Sequence, residues 1–134
     1  MHAAHSLVLA FSFVAVVACD ESVLGPSASL DRQFTLAPGE TAHIESTSLS
    51  VQFTGVGDDS RCPVDVDCIQ AGSALVRITV MDGRARRDYE LHTADASPLR
   101  HGDLTIALVE LAPEPRSSRV IRPEDYRLIL KATR

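Results

Sequence analysis

The sequence predicts an all-β protein built as an antiparallel β-sandwich of about seven strands, with a small β-barrel as the alternative. Three observations carry this. Apolar residues recur with a period of two from Phe34 to the C terminus. Turn-forming pairs such as Pro38-Gly39 and Asp82-Gly83 separate the alternating runs. No segment shows the apolar stripe of an amphipathic helix.

Taken in order, Phe34 and Leu36 share one face of a first strand. The turn Ala37 to Glu40 leads to a second strand, with Ala42 and Ile44 in phase. In "LSVQFT", Leu49, Val51 and Phe53 face one way and Ser50, Gln52 and Thr54 the other, as expected of a half-buried antiparallel strand. Ala74, Val76, Ile78 and Val80 then share a face. Asp82-Gly83 follows as a hairpin signal, both residues being expected at the central turn positions with positive φ. The return strand offers Tyr89 and Leu91 to the core and leaves Asp88, Glu90 and His92 outside, and a loop with Pro98 and Gly102 follows. Leu104, Ile106 and Leu108 alternate, but Val109 and Leu111 do not keep their phase, which predicts a bulge or a strand buried on both faces. The proline-rich 112–125 is too charged for a central strand. Tyr126, Leu128, Leu130 and Ala132 close the chain in phase. Such an arrangement is immunoglobulin-like in the loose sense of two packed sheets.

The chain of 134 residues has room for one domain. Its formal charge is −5, and Trp is absent, so neither phosphate neutralisation nor base stacking suggests a nucleic-acid partner. From Cys19 to Cys68 there are nine acids and two bases, and from Ile69 onward nine acids and eleven bases. Much of the acidity therefore belongs to one part of the surface.

The N terminus reads as an address. Leu7 to Ala18 is an apolar run of twelve residues, short for a membrane span but suited to a signal peptide. No charged side chain precedes Cys19, and Asp20 and Glu21 follow at once. The quartet Val16-Val17-Ala18-Cys19 resembles the lipobox of bacterial lipoproteins. That resemblance implies cleavage before Cys19, lipid on its thiol, and a place on a membrane of the bacterial cell envelope, facing the periplasm or the exterior. The implied organisation is a leader at 1–18, a lipidated N terminus and flexible tether at 19–31, and a β-sandwich domain at 32–134. With Cys19 lipidated, Cys62 and Cys68 remain as an even pair, most simply a disulfide in an oxidising compartment.

Around that pair, "DSRCPVDVDCIQAG" is similar to a motif of small bacterial lipoproteins and secreted proteins. Asp59, Ser60, Arg61, Cys62, Pro63, Cys68, Ala71 and Gly72 are the matching positions, and Gln70 stands where that family has Trp. The family transfers no activity.

The loop from Asp58 to Gly72 is the candidate binding segment, with Asp58, Asp59, Arg61, Asp65, Asp67 and Gln70 as its polar residues. A structural clasp is its first reading. Asp58, Asp59, Asp65 and Asp67 form the one acidic set that calcium chemistry would use, though not in an EF-hand pattern. A braced, proline-containing loop would also suit a protease inhibitor. The Cys-x5-Cys spacing matches neither a redox Cys-x-x-Cys nor a structural zinc pair. There is no nucleophile elbow, zinc-protease motif or phosphate loop, and His43, His92 and His101 read as surface residues. The expectation is a non-catalytic envelope protein without cofactor, held to a membrane through Cys19 and partnered by another envelope protein.

Overall fold

The computed structural model describes residues 25–95 and 97–134. Cys19 and the leader lie outside these residues. Among the described residues nine strands form: β1 (Ser27–Ala28), β2 (Gln33–Leu36), β3 (Thr41–Ile44), β4 (Leu49–Asp59), β5 (Ala74–Asp82), β6 (Ala85–His92), β7 (Leu99–His101), β8 (Leu104–Ala112) and β9 (Arg127–Thr133). A 3-10 turn, Pro123–Asp125, precedes β9. One sheet has the order β1-β3-β4-β5-β6 and the other β2-β9-β8-β7. The all-β sandwich is therefore present. Each sheet is largely a meander, and all pairings are antiparallel except β1 on β3.

The inward positions of the two sheets meet in one core. Leu36, Leu104, Ile106, Leu128 and Leu130 come from one sheet, and Ile44, Val51, Phe53, Val76, Ile78 and Val80 from the other. Phe53 is the largest fully buried side chain and stands near the middle of the longest strand. Alternation alone places these residues, because a strand presents every second side chain to the facing sheet.

Three local features differ from the sequence expectation. Ser27–Ala28, expected within the tether, forms β1: His43 N–H donates to the Pro26 carbonyl at 3.1 Å and Glu45 N–H to the Ala28 carbonyl at 2.9 Å, and Ala28 is buried. Two residues are too short to show any period, so pattern could not reveal them. The β5–β6 turn uses Gly83-Arg84 as its central pair, because Asp82 still pairs with Ala85. Only Gly83 has positive φ there, at 57°, so the turn is of the kind with glycine first. The β7–β8 turn repeats the arrangement with Gly102-Asp103 between paired His101 and Leu104. The third difference is length. β4 does not end at Thr54 but runs to Asp59, with register shifts between Phe53 and Gly55 and between Val56 and Asp59. Each shift inserts one residue, so Val56 lies opposite the inward Val76 and Asp59 opposite the inward Ala74. The expected irregularity in β8 is a bulge between Leu108 and Glu110, which brings Leu111 back to the core.

Replacing Phe53 by Ala removes the core's one fully buried aromatic ring. An equilibrium urea melt of Phe53→Ala should show a loss of about 3–5 kcal/mol. The exposed β8 residue Val109, changed to Ser, should stay within about 0.5 kcal/mol of wild type.

Candidate functional site

Between β4 and β5 the chain makes its disulfide loop. The arms prolong the sheet: Ser60 N–H donates to the Ser73 carbonyl at 2.9 Å, and Cys62 N–H to the Ala71 carbonyl at 2.8 Å. The Ser60 hydroxyl donates to the Ser73 carbonyl as well, at 2.9 Å, and accepts from Ser73 N–H at 3.1 Å. Gly72 has φ +66°, and a Cβ there would overlap the Ser60 carbonyl oxygen. Only glycine lets the arms close this tightly. Beyond them Cys62 and Cys68 are joined in a disulfide, with their Cα atoms 6.0 Å apart.

The loop is also bound sideways to the segment 113–122 before β9. Val64 N–H donates to the Pro115 carbonyl at 3.0 Å. Both Asp65 carboxylate oxygens accept from Ser117, from its N–H at 2.9 Å and its hydroxyl at 2.7 Å. These bonds from Ser117 hold the Asp65 carboxyl below its ordinary pKa.

Beneath the loop lies a clamp between the two sheets. Arg61 donates to Asp59 through Nε at 2.9 Å and Nη2 at 2.7 Å, a bidentate pair whose side chains are only 14% and 13% exposed. The same guanidinium donates through Nη1 to the Leu111 carbonyl at 2.6 Å and through Nη2 to the Pro113 carbonyl at 3.1 Å. The Tyr126 hydroxyl donates to Asp59 Oδ2 at 2.9 Å. Asp59 and Arg61 belong to the first sheet and its loop, whereas Leu111, Pro113 and Tyr126 lie at the ends of β8 and β9 in the second. Burial by itself raises the Asp59 carboxyl, but the hydrogen bonds from Arg61 and Tyr126 outweigh it and leave it below its ordinary value. Burial, then the bond to Asp59, pushes the Tyr126 hydroxyl up to about 12.

The residues singled out in the sequence therefore have different fates. Arg61 and Asp59 form the clamp, and Asp59 is a strand residue, not a loop residue. Asp65 fastens the loop to Ser117. Asp58, Asp67 and Gln70 are exposed. The four acids of the calcium reading are not brought together, since Asp59 and Asp65 are held by different partners. Among the described residues no three His, Cys, Asp or Glu side chains are grouped so as to hold a metal ion. His101, read as a loop residue, ends β7 and shares a 2.8 Å hydrogen bond between its Nδ1 and the Tyr89 hydroxyl.

Sequence reasoning missed Tyr126 and Ser117, which lie 67 and 52 positions from their partners. It also missed an apolar surface. Of the five large apolar side chains exposed among the described residues, four belong to this end: Val64, Val66 and Ile69 on the loop and Val120 on the facing segment. The valines of "PVDVD" were legible as apolar, but their alternation with acids concealed them.

Two outcomes test the clamp. Arg61→Ala leaves the Asp59 carboxylate with one donor side chain and should cost about 2–4 kcal/mol in urea melts, whereas the surface variant Arg116→Ala should cost under about 0.5 kcal/mol. The second outcome concerns pH. The folded pKa of Tyr126, about 12, exceeds its ordinary 10.0, so its contribution is complete below pH 10 and is lost as pH rises through 12. Asp59 acts with the opposite sign: its contribution is present above its ordinary 3.8 and lost as pH falls through its lower folded value. Stability measured from pH 9 to 12 should fall more in wild type than in Tyr126→Phe, which has no proton to lose there.

Comparison of the chain with protein-family models, with curated proteins and with solved structures finds no match.

Proposed function

We propose that this protein is a non-catalytic module of the bacterial cell envelope, anchored to a membrane by lipid on Cys19. Its disulfide-bearing end serves as the recognition surface for another envelope protein. One observation carries the reading. Val64, Val66, Ile69 and Val120 are each exposed, on two neighbouring loops that are fastened to each other and to the sandwich. Exposed apolar side chains that cluster are a usual mark of an interaction surface, while scattered ones are not. The fastening matters as much as the composition. A segment already ordered loses little conformational entropy on binding, so modest apolar contact yields useful affinity.

This changes the chemistry expected of the loop. Asp59 and Asp65 are spent on internal bonds, which leaves Asp58 and Asp67 as the free acids beside an apolar surface. Contact is then led by apolar burial with an acidic rim, and not by carboxylates. The disulfide suits an oxidising compartment, in keeping with export.

Crosslinking capture from the native envelope tests this. The wild-type chain should retain a partner that a doubly substituted Ile69→Asp, Val120→Asp chain loses by about tenfold or more, both proteins melting at the same temperature. A Cys62→Ser, Cys68→Ser chain should capture it weakly, and Cys19→Ser should leave the membrane fraction. Equal capture by all chains, or no partner for any, overturns the recognition surface. Wild type without acyl mass on Cys19 overturns the anchor.

A further inference from the structure

The two sheets end in four outer strands, and three of them are too short to offer much to a neighbour: β1 has 2 residues, β2 has 4 and β7 has 3. The fourth, β6, has 8, and its register against β5 runs from Asp82–Ala85 to Leu75–His92 without a shift. It holds neither proline nor glycine. The ladder shows which backbone groups face outward. Asp82 and Ala85 flank a two-residue turn and so exchange both backbone bonds, and Thr93 N–H donates to the Ala74 carbonyl at 3.1 Å in the same phase. The odd-numbered residues of β6 therefore bond to β5, and the N–H and C=O groups of Arg86, Asp88 and Glu90 point away from the sheet. No other segment among the described residues supplies them with a backbone hydrogen bond. His92, next in phase, has its carbonyl taken by Asp95 N–H at 3.0 Å. The open stretch is thus Arg86 to Glu90, with Asp88 at its middle.

Charge on an outer strand ordinarily keeps a second strand away. That works when the charges share a sign. Along β6 the sign changes: Arg86 and Arg87 come first, Asp88 and Glu90 after. A second copy lying parallel would set like against like, whereas one lying antiparallel sets opposite charges together. Pairing centred on Asp88 puts Arg86 of each copy opposite Glu90 of the other on the outer face. On the inner face it puts Arg87 opposite Tyr89, where a guanidinium can rest on the ring. Neither Arg86 nor Arg87 forms an ion pair among the described residues. Glu90 pairs with Arg77 at 3.3 Å, but both side chains are more than half exposed, which leaves room for a second guanidinium. Asp88 meets its own counterpart at the axis. The Thr79 hydroxyl already donates to one of its oxygens at 2.6 Å, and the two Arg86 side chains flank the pair diagonally. We infer that β6 is a dimer edge, through which two copies of this chain join antiparallel along Arg86 to Glu90 and continue one sheet across a twofold axis. Such a contact uses the same strand of both copies, so it closes at two and does not grow into a fibre. The edge is separate from the disulfide-bearing surface and does not depend on it.

The test is sedimentation equilibrium of the full chain in a density-matched non-ionic detergent. Wild type should be dimeric. Arg86→Glu sets acid against acid across the axis, and Glu90→Arg sets base against base, so each alone should weaken self-association by about tenfold. Mixed in equal amounts, the two variants should regain the wild-type affinity, because each then meets the opposite charge. Neither misfolded variants nor a non-specific contact would recover on mixing. A chain carrying Asp88→Cys should also form a covalent dimer through that position on mild oxidation, since directly opposed residues have Cα atoms about 5.5 Å apart, within disulfide reach. A monomeric wild type overturns the edge, as does a mixture that stays monomeric. A dimer that both charge variants leave intact, or that Ile69→Asp with Val120→Asp abolishes, overturns it too and places the contact elsewhere on the molecule.

Discussion

The ion pair of Asp59 and Arg61 is the constraint on which one whole end of this molecule depends. A sandwich holds its sheets together by apolar contact between them, and that contact thins toward the ends, where the inward positions run out. Here β4 reaches the end of the sandwich with an aspartate, not an apolar residue, opposite the inward Ala74. A carboxylate so placed would be costly without partners. Arg61 supplies a bidentate one and spends its other donor positions on the carbonyls of Leu111 and Pro113, and Tyr126 completes the shell from β9. Polar bonds thus take over from apolar packing where the core ends. Their directional character fixes how the β8–β9 connection lies against the β4–β5 loop.

The disulfide loop depends on that arrangement. Gly72 allows its arms to close, the Cys62–Cys68 bond limits its apex, and Val64 and Asp65 moor it to Pro115 and Ser117. The clamp beneath holds the start of the same connection through the Leu111 and Pro113 carbonyls. A loop restrained at so many points can expose Val64, Val66 and Ile69 without collapsing around them. The two ends of the domain are chemically unlike. One presents apolar side chains with acids at the rim, and the other a polar cleft between the outer strands β6 and β7.

Much of the fold was legible in the sequence, for a simple reason. Period-two alternation records which face of a strand is buried, and Leu49, Val51 and Phe53 or Leu128, Leu130 and Ala132 carry that record within a few residues of one another. The phase break before Leu111 announced a bulge in the same way. Where the record is short or interrupted, it failed. Two-residue β1 has no period, and the end of β4 passes through Gly55, Gly57 and two aspartates that read as a turn. At Asp82-Gly83 the hairpin was legible but its register was not, because pairing across the strands decides which residues stand at the tip.

The candidate site divides along the same line. The sequence by itself determined the β class, the core face of the long strands and the presence of a Cys62–Cys68 loop, since each rests on neighbours in the chain or on composition. Only the tertiary structure decided that Asp59 turns inward to meet Arg61 and Tyr126, that Asp65 is taken by Ser117, and that Arg87 and Arg100 share one cleft. Apart from the neighbouring Asp59 and Arg61, those decisions join positions distant in sequence. Their energies come from burial and hydrogen-bond geometry that exist only after the two sheets have met, and local pattern holds no trace of them.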